Sequence, residues 1–309
     1  MSDTRTHQAI SNRELNSGFQ KRIAIHANRR PGITLALGGG FSRGFAHLGV
    51  LEVLEEECLP ISRIVGTSIG ALLGAAYADG ISLRDICDLG SRVQIRDFLR
   101  FRPRGSYPGP QKKDCIGQFI EQWFRAESLE TLAIPVSMVA TNLATGSPYV
   151  FSRGPIELAI RASCAFPGLM RPIEHEGHTL ADGCIVAPVP TAIAAENAEN
   201  DNACIVGVHV ASTEDDLASP EGAMKVFDAK FRALRRGSTD PSWRRYADVV
   251  VEPQVRHIEW NDFSRVDEVV SAGAEAMRKA LPAVREILSS RQMVSPQTLT
   301  CGATEAATL

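Results

Sequence analysis

Two glycine-rich loops, each set between a short apolar run and a helix-like stretch, constrain this chain more than any other feature. Gly38-Gly39-Gly40-Phe41-Ser42-Arg43-Gly44 follows the β-rich run Ile33 to Leu37, and Gly66-Thr67-Ser68-Ile69-Gly70 follows Ile64 and Val65. The second has the G-x-S-x-G pattern of a nucleophile elbow, in which Ser68 sits on a strained strand-to-helix turn. Gly66 and Gly70 leave room for the backbone to fold tightly and lift the hydroxyl into the open. The first enters a helix through exposed backbone N–H groups at Gly38, Gly39, Gly40 and Phe41. Such a turn adds the positive end of a helix dipole, which is what a developing alkoxide requires.

The rest of the chain reads as alternating strands and helices. Arg43 to Cys58 places Phe45, Leu48, Leu51 and Leu54 at helical spacing with glutamates outward, and Pro60 ends it. Arg63 to Val65 reads as a strand, Ile69 to Asp79 as a buried helix stopped at Gly80, and Leu83 to Val93 as another helix. Pro135 to Ala140 and Pro148 to Phe151 predict two strands joined by a turn over Asn142 to Gly146, and Pro155 to Ser163 predicts a helix with proline in its first turn. Cys204 to Val210 and Ala247 to Val251 are later strands, Ala223 to Leu234 a helix, and Arg265 to Leu288 a long final helix. This alternation indicates a mostly parallel sheet with helices on both faces.

A serine hydroxyl is a weak nucleophile and needs a base. His209 and His257 would suit a Ser, acid, His chain order. His47 fits a structural hydrogen bond within the first helix, and His175 with His178 fits a turn better than a metal pair, because no third ligand accompanies them. A dinucleotide site is disfavoured, since the second strand ends in Gly-Thr-Ser where a ribose-binding acid would stand.

Asp182-Gly183-Cys184 offers another base. With the two loops, and with Ser163-Cys164-Ala165-Phe166-Pro167-Gly168 upstream, the chain resembles the patatin-like phospholipase family from about Ile33 to Val210. In that family G-x-G-x-x-R-G supplies an oxyanion hole, G-x-S-x-G the nucleophile, and Asp-Gly-Gly or Asp-Gly-Ala the second member of a Ser-Asp dyad. The resemblance implies an α/β, three-layer fold and a serine acyl-ester hydrolase of phospholipase A or lysophospholipase type, without metal or cofactor. It implies Ser68 as nucleophile, Asp182 as base, the Gly38 to Phe41 N–H groups as oxyanion donors, and supporting roles for Arg43, Gly66, Gly70 and Gly183. Arg43 either neutralises a lipid phosphate or braces the loop. Cys184 and Ala187 depart from the family pattern, in which glycine or alanine and then asparagine are usual. A non-catalytic lipid-binding or scaffold protein of the same fold is the reading from another class.

Composition narrows the setting. A formal net charge of −3 gives no global field toward nucleic acid, so attraction to an anionic surface has to be local. Arg92 to Lys113 supplies one: seven basic residues against Asp97, a net of +6, interleaved with Phe98, Leu99, Phe101 and Tyr107. That segment reads as a membrane contact or lid, or equally as a solvated loop over the sheet edge. Seven scattered cysteines and the absence of an apolar leader point to the cytoplasm, peripheral to a membrane at most. The expected organisation is an arm over 1–30, the patatin-like domain over 31–212, an extension completing the fold over 213–290, and a tail over 291–309.

Overall fold

The aliphatic and β-branched runs are buried on both faces, and they form the centre of a mixed sheet. The computed structural model describes residues 31–92, 115–167, 169–198, 202–210 and 241–293. Strand β1 (Ile33–Leu37) leads through the glycine loop and a 3-10 turn over Phe41–Phe45 into helix α1 (Ala46–Glu56). Next come β2 (Ile61–Thr67), α2 (Ile69–Ala78), α3 (Leu83–Gly90) and α4 (Cys115–Trp123). The chain then forms β3 (Val136–Asn142), β4 (Ser147–Phe151), α5 (Ile156–Ser163), β5 (Ile173–His175), β6 (His178–Asp182), α6 (Thr191–Ala198), β7 (Cys204–Val208), β8 (Val249–Val251) and α7 (Val266–Met293).

The strand order is β5-β6-β3-β2-β1-β7-β8, with β4 also paired to β3. From β3 to β8 the pairings are parallel, and β4, β5 and β6 add antiparallel pairings beside β3. Alternation sorts the strand side chains between two layers. Leu35, Leu37, Ile64, Met138 and Val206 meet α1, α2, α5 and α7 on one face, while Ala36, Val65 and Val139 meet Val189, Ile193 and Ala194 on the other. The chain runs from β1 toward β3 and later returns to β7 on the opposite side of β1. The loops after β1 and β2 therefore emerge beside the point where strand order reverses, the usual crevice of an open α/β sheet.

Several boundaries differ from the sequence expectation. The first helix opens as a 3-10 turn, and the helix expected to reach Val93 ends at Gly90. The hairpin β5–β6 and helices α4 and α6 are additions to the expected elements; α4 is amphipathic, whereas α6 has little contrast between its faces. His175 and His178 pair across that hairpin, whose two-residue turn places Glu176 and Gly177 at positive φ, the backbone twist that such turns require. The arm over 1–30, the helix over Ala223 to Leu234, residues 93–113 of the basic segment and the tail beyond 293 lie outside the described residues. No helix among the described residues is long and apolar enough to cross a membrane.

Helix α7 packs along α1, and the contact is backbone against backbone. A Cβ on Gly49 would overlap the Val270 carbonyl, and one on Gly273 would overlap the Ala46 carbonyl. Neither obstacle can rotate away, so each glycine is required by close approach and not by its torsion angles. Gly49→Ala and Gly273→Ala should each lower stability by at least about 2 kcal/mol, the range of an overpacked core. Exposed Ser271→Ala should stay within about 0.5 kcal/mol, with urea midpoints as the measurement.

Candidate functional site

Strand β3 brings the two key side chains together. Its residues Ile64-paired Val136 through Thr67-paired Val139 lie against β2, and Ala140 to Asn142 continue the same edge against β6. Thr67 is therefore opposite Val139 and Asp182 opposite Ala140, one residue on. Ser68 follows Thr67 directly, and its hydroxyl donates to Asp182 Oδ2 at 2.6 Å. No imidazole intervenes. His209 pairs with Glu252 and His257 with Glu268, and among the described residues neither imidazole hydrogen-bonds to Ser68 or Asp182.

The elbow is strained and braced. Ser68 has φ 54° and ψ −124°, a conformation that costs a non-glycine residue on the order of 1–3 kcal/mol. Its backbone N–H donates to Ser163 Oγ at 2.9 Å, and that hydroxyl donates in turn to the Val139 carbonyl at 2.7 Å. Ser163 is fully buried at the end of α5 and ties the elbow to the strand that aligns it. Gly70 meets the Gly38 carbonyl, Gly66 meets the Ala71 backbone, and Gly183 meets the Val139 carbonyl too closely for a side chain at any of them.

The glycine loop is narrower as a donor than its sequence suggests. Gly38 N–H donates to Val208 O and Gly39 N–H to Pro188 O, both at 3.1 Å, so these two donors are occupied. Among the described residues no hydrogen bond takes the N–H of Gly40 or Phe41. Phe41 has φ 48° and opens the 3-10 turn, and the two N–H groups that follow, Ser42 and Arg43, donate to the Trp260 and Gly40 carbonyls. His47 Nε2 donates to the Gly38 carbonyl at 2.7 Å, and burial holds its pKa down at about 4, so it stays neutral and structural.

Arg43 braces the loop. Its side chain is 2% exposed, with Nε donating to Ile258 O at 2.6 Å and a terminal nitrogen to Arg256 O at 3.3 Å. Ser42 adds bonds from its N–H and hydroxyl to the Trp260 carbonyl. The guanidinium is thus committed to carbonyls of a segment over 200 residues downstream, which removes the lipid-phosphate alternative. Beside Ser68 lies a cavity of about 60 Å³ whose walls, Phe41, Ile69, Leu72, Phe166 and Met170 among them, are almost wholly apolar. Phe41 stands edge-on to both Phe166 and Trp260, with centroids 5.1 and 4.9 Å apart. Ser163 opens a run that carries the family resemblance, yet its bracing role was not legible there, and the Arg256 to Trp260 carbonyls have no sequence signature. Their partners are fixed only by tertiary contact.

Asp182 has no exposed surface, and desolvation raises its pKa to about 6 against the downward pull of the Ser68 hydroxyl and the Cys184 N–H and thiol. Among the described residues no group of three or more His, Cys, Asp or Glu side chains could hold a metal ion.

A family model described as patatin-like phospholipase matches residues 35–195, just over half of the chain. An uncharacterized NTE family protein of Mycobacterium tuberculosis is 37% identical over 179 residues, covering 57% of this chain and 49% of that protein. A lysophospholipase NTE1 of Candida glabrata is 33% identical over 162 residues, 51% of this chain and 9% of its own length. The chain spans about half the length of the mycobacterial relative. The solved structure of VipD from Legionella pneumophila superposes with a TM-score of 0.52 at 16% identity, covering 86% of this chain and 68% of that one, a likeness of fold.

The raised pKa makes Asp182 a liability to folding. Because the folded carboxyl holds its proton up to about pH 6 and the unfolded one releases it near 4, stability is full below pH 4 and falls as pH rises to 6. Two units correspond to about 3 kcal/mol at neutral pH. Asp182→Asn should therefore raise the melting temperature at pH 8 and lose that advantage at pH 4, as thermal unfolding at the two values would show.

Proposed function

The chain belongs to the patatin-like phospholipase family, and we propose that within it this protein is a serine acyl-ester hydrolase working through a Ser68-Asp182 dyad. The observation that carries the reading is the direct 2.6 Å bond from the Ser68 hydroxyl to a buried carboxylate, made by a serine held in a strained elbow. Ser68 Oγ attacks the ester carbonyl while Asp182 accepts its proton. The carbonyl oxygen becomes an oxyanion stabilised by the N–H groups of Gly40 and Phe41, the two loop donors left without a partner among the described residues. Preorganised donors of this kind contribute about 3 kcal/mol each to the transition state. The proton then passes from Asp182 to the departing alcohol. A water that Asp182 deprotonates attacks the acyl-enzyme, and as the Oγ–acyl bond breaks the proton returns from Asp182 to Ser68 while the acid leaves.

An apolar cavity beside the nucleophile suits a hydrocarbon acyl group, and the fungal relative is named as a lysophospholipase. Phospholipids or lysophospholipids are accordingly the proposed substrates. The basic segment Arg92 to Lys113 carries the proposed peripheral membrane contact, and its residues 93–113 lie outside the described residues.

A fluorophosphonate probe should label Ser68 alone, and Ser68→Ala should abolish both labelling and hydrolysis of acyl esters. Hydrolysis that survives Ser68→Ala would sink the assignment, and a wild type inert toward every ester would favour the scaffold. Asp182 acts only when ionised, so kcat/KM should fall as pH drops through about 6. Asp182→Asn should cost at least about a hundredfold in kcat at pH 8, the scale of general-base catalysis, and the gap should narrow below pH 6 as the wild-type carboxylate takes up its proton.

A further inference from the structure

Cys184 stands in the dyad loop where the family pattern has a smaller residue, and its thiol lies at the centre of the site. Its N–H donates to Asp182 Oδ1 at 2.8 Å, while Ser68 holds Oδ2. The thiol lies near enough to the same carboxylate to help hold its pKa down. The same sulfur rests on the donor loop. A Cβ on Gly39 would overlap Cys184 Sγ, whereas its next neighbours, Ser68 Cβ and Cys184 Cβ, would stand at 3.4 and 3.8 Å. The segment that follows is fastened to both loops. Gly39 N–H donates to Pro188 O at 3.1 Å, and Thr67 Oγ1 donates to Ala187 O at 2.9 Å.

Resting on the dyad reading above, we propose that Cys184 is a positioning residue whose thiol fills the gap between the Asp182 carboxylate and Gly39, and so holds base and oxyanion loop in register. The backbone N–H alone would orient Oδ1, yet it would leave the loop free to shift relative to the carboxylate. The thiol removes that freedom by touching both. It also favours the ionised base, because a donor to the charged form lowers its pKa. Among the described residues no cation or second carboxylate bears on Asp182. Burial, the Ser68 hydroxyl and the two Cys184 donors account for its titration, so loss of one donor should be readable.

Two measurements test this. The first is kcat/KM against pH on a soluble short-chain ester for wild type, Cys184→Ala and Cys184→Ser. Cys184→Ala should move the acid limb upward by about half a unit, so that its deficit at pH 5.5 is about threefold larger than at pH 8, and Cys184→Ser should restore the limb. The second pairs substitutions. Gly39→Ala should cost at least about tenfold in wild type, because it collides with the sulfur, and most of that loss should be recovered in Gly39→Ala/Cys184→Ala, where only ordinary contacts remain. An acid limb that stays in place in Cys184→Ala, or a double variant no better than Gly39→Ala alone, overturns the role of Cys184. Fluorophosphonate labelling of each variant separates the two levels. Ser68 labelled normally with an unmoved limb refutes only the Cys184 role, while Ser68 neither labelled nor required refutes the dyad and this inference with it. Thermal unfolding reports folding independently, and Cys184→Ser keeps the comparison decisive if alanine is not tolerated.

Discussion

One edge of β3 is the constraint on which the site depends. A strand edge offers one line of hydrogen-bonding positions, and here two strands of opposite direction share it end to end: β2 as far as Val139, β6 from Ala140. Their C-terminal ends, Thr67 and Asp182, meet there. Residues 114 positions apart in sequence thereby become neighbours without any flexible side chain having to reach. Where the two partners meet, the Val139 carbonyl is taken by Ser163, whose hydroxyl also holds the peptide of Ser68. Register, elbow and acid are thus parts of one arrangement, and a one-residue slip of β6 would turn Asp182 to the opposite face of the sheet.

Burial shapes the chemistry available to this arrangement. A carboxylate in water is a weak base toward a serine hydroxyl. With no exposed surface and no cation beside it among the described residues, Asp182 becomes more basic, and it keeps its charge near neutrality through three donors. On the proposed reading that is how a dyad works without imidazole. The strained Ser68 and the desolvated Asp182 both weaken the fold where function is placed, and the packed contact of α1 with α7 at Gly49 and Gly273 is among the features that offset them.

Local patterns in the chain made the centre of the structure legible. The runs at Ile33, Ile64 and Val136, the two glycine loops and the long final helix announce themselves through apolar period and turn chemistry. The identity of the free donors was not legible. Gly38 to Phe41 are equivalent as a glycine-rich turn, and what divides them is that Val208 and Pro188, remote in sequence, take the first two N–H groups. Arg43 was ambiguous for the same reason, because its acceptors are backbone carbonyls, which carry no residue-type signal. The hairpin β5–β6 is three residues against five with polar side chains alternating, too short for period to outweigh composition. Helix α6 is alanine-rich with little contrast between its faces, so its packing, and not its pattern, defines it.

The anchoring of Ser42 and Arg43 on the Arg256 to Trp260 carbonyls bears on the order in which the protein matures. A nascent chain that has reached residue 210 already contains nucleophile, carboxylate and glycines, yet the turn that presents the last two N–H groups has nothing to hang from. Synthesis from N- to C-terminus therefore builds in a delay. On the proposed reading, the donor loop gains its brace only when the segment from Arg256 to Trp260 docks, so a chain ending at residue 210 would hold the reactive groups without the anchor that sets them.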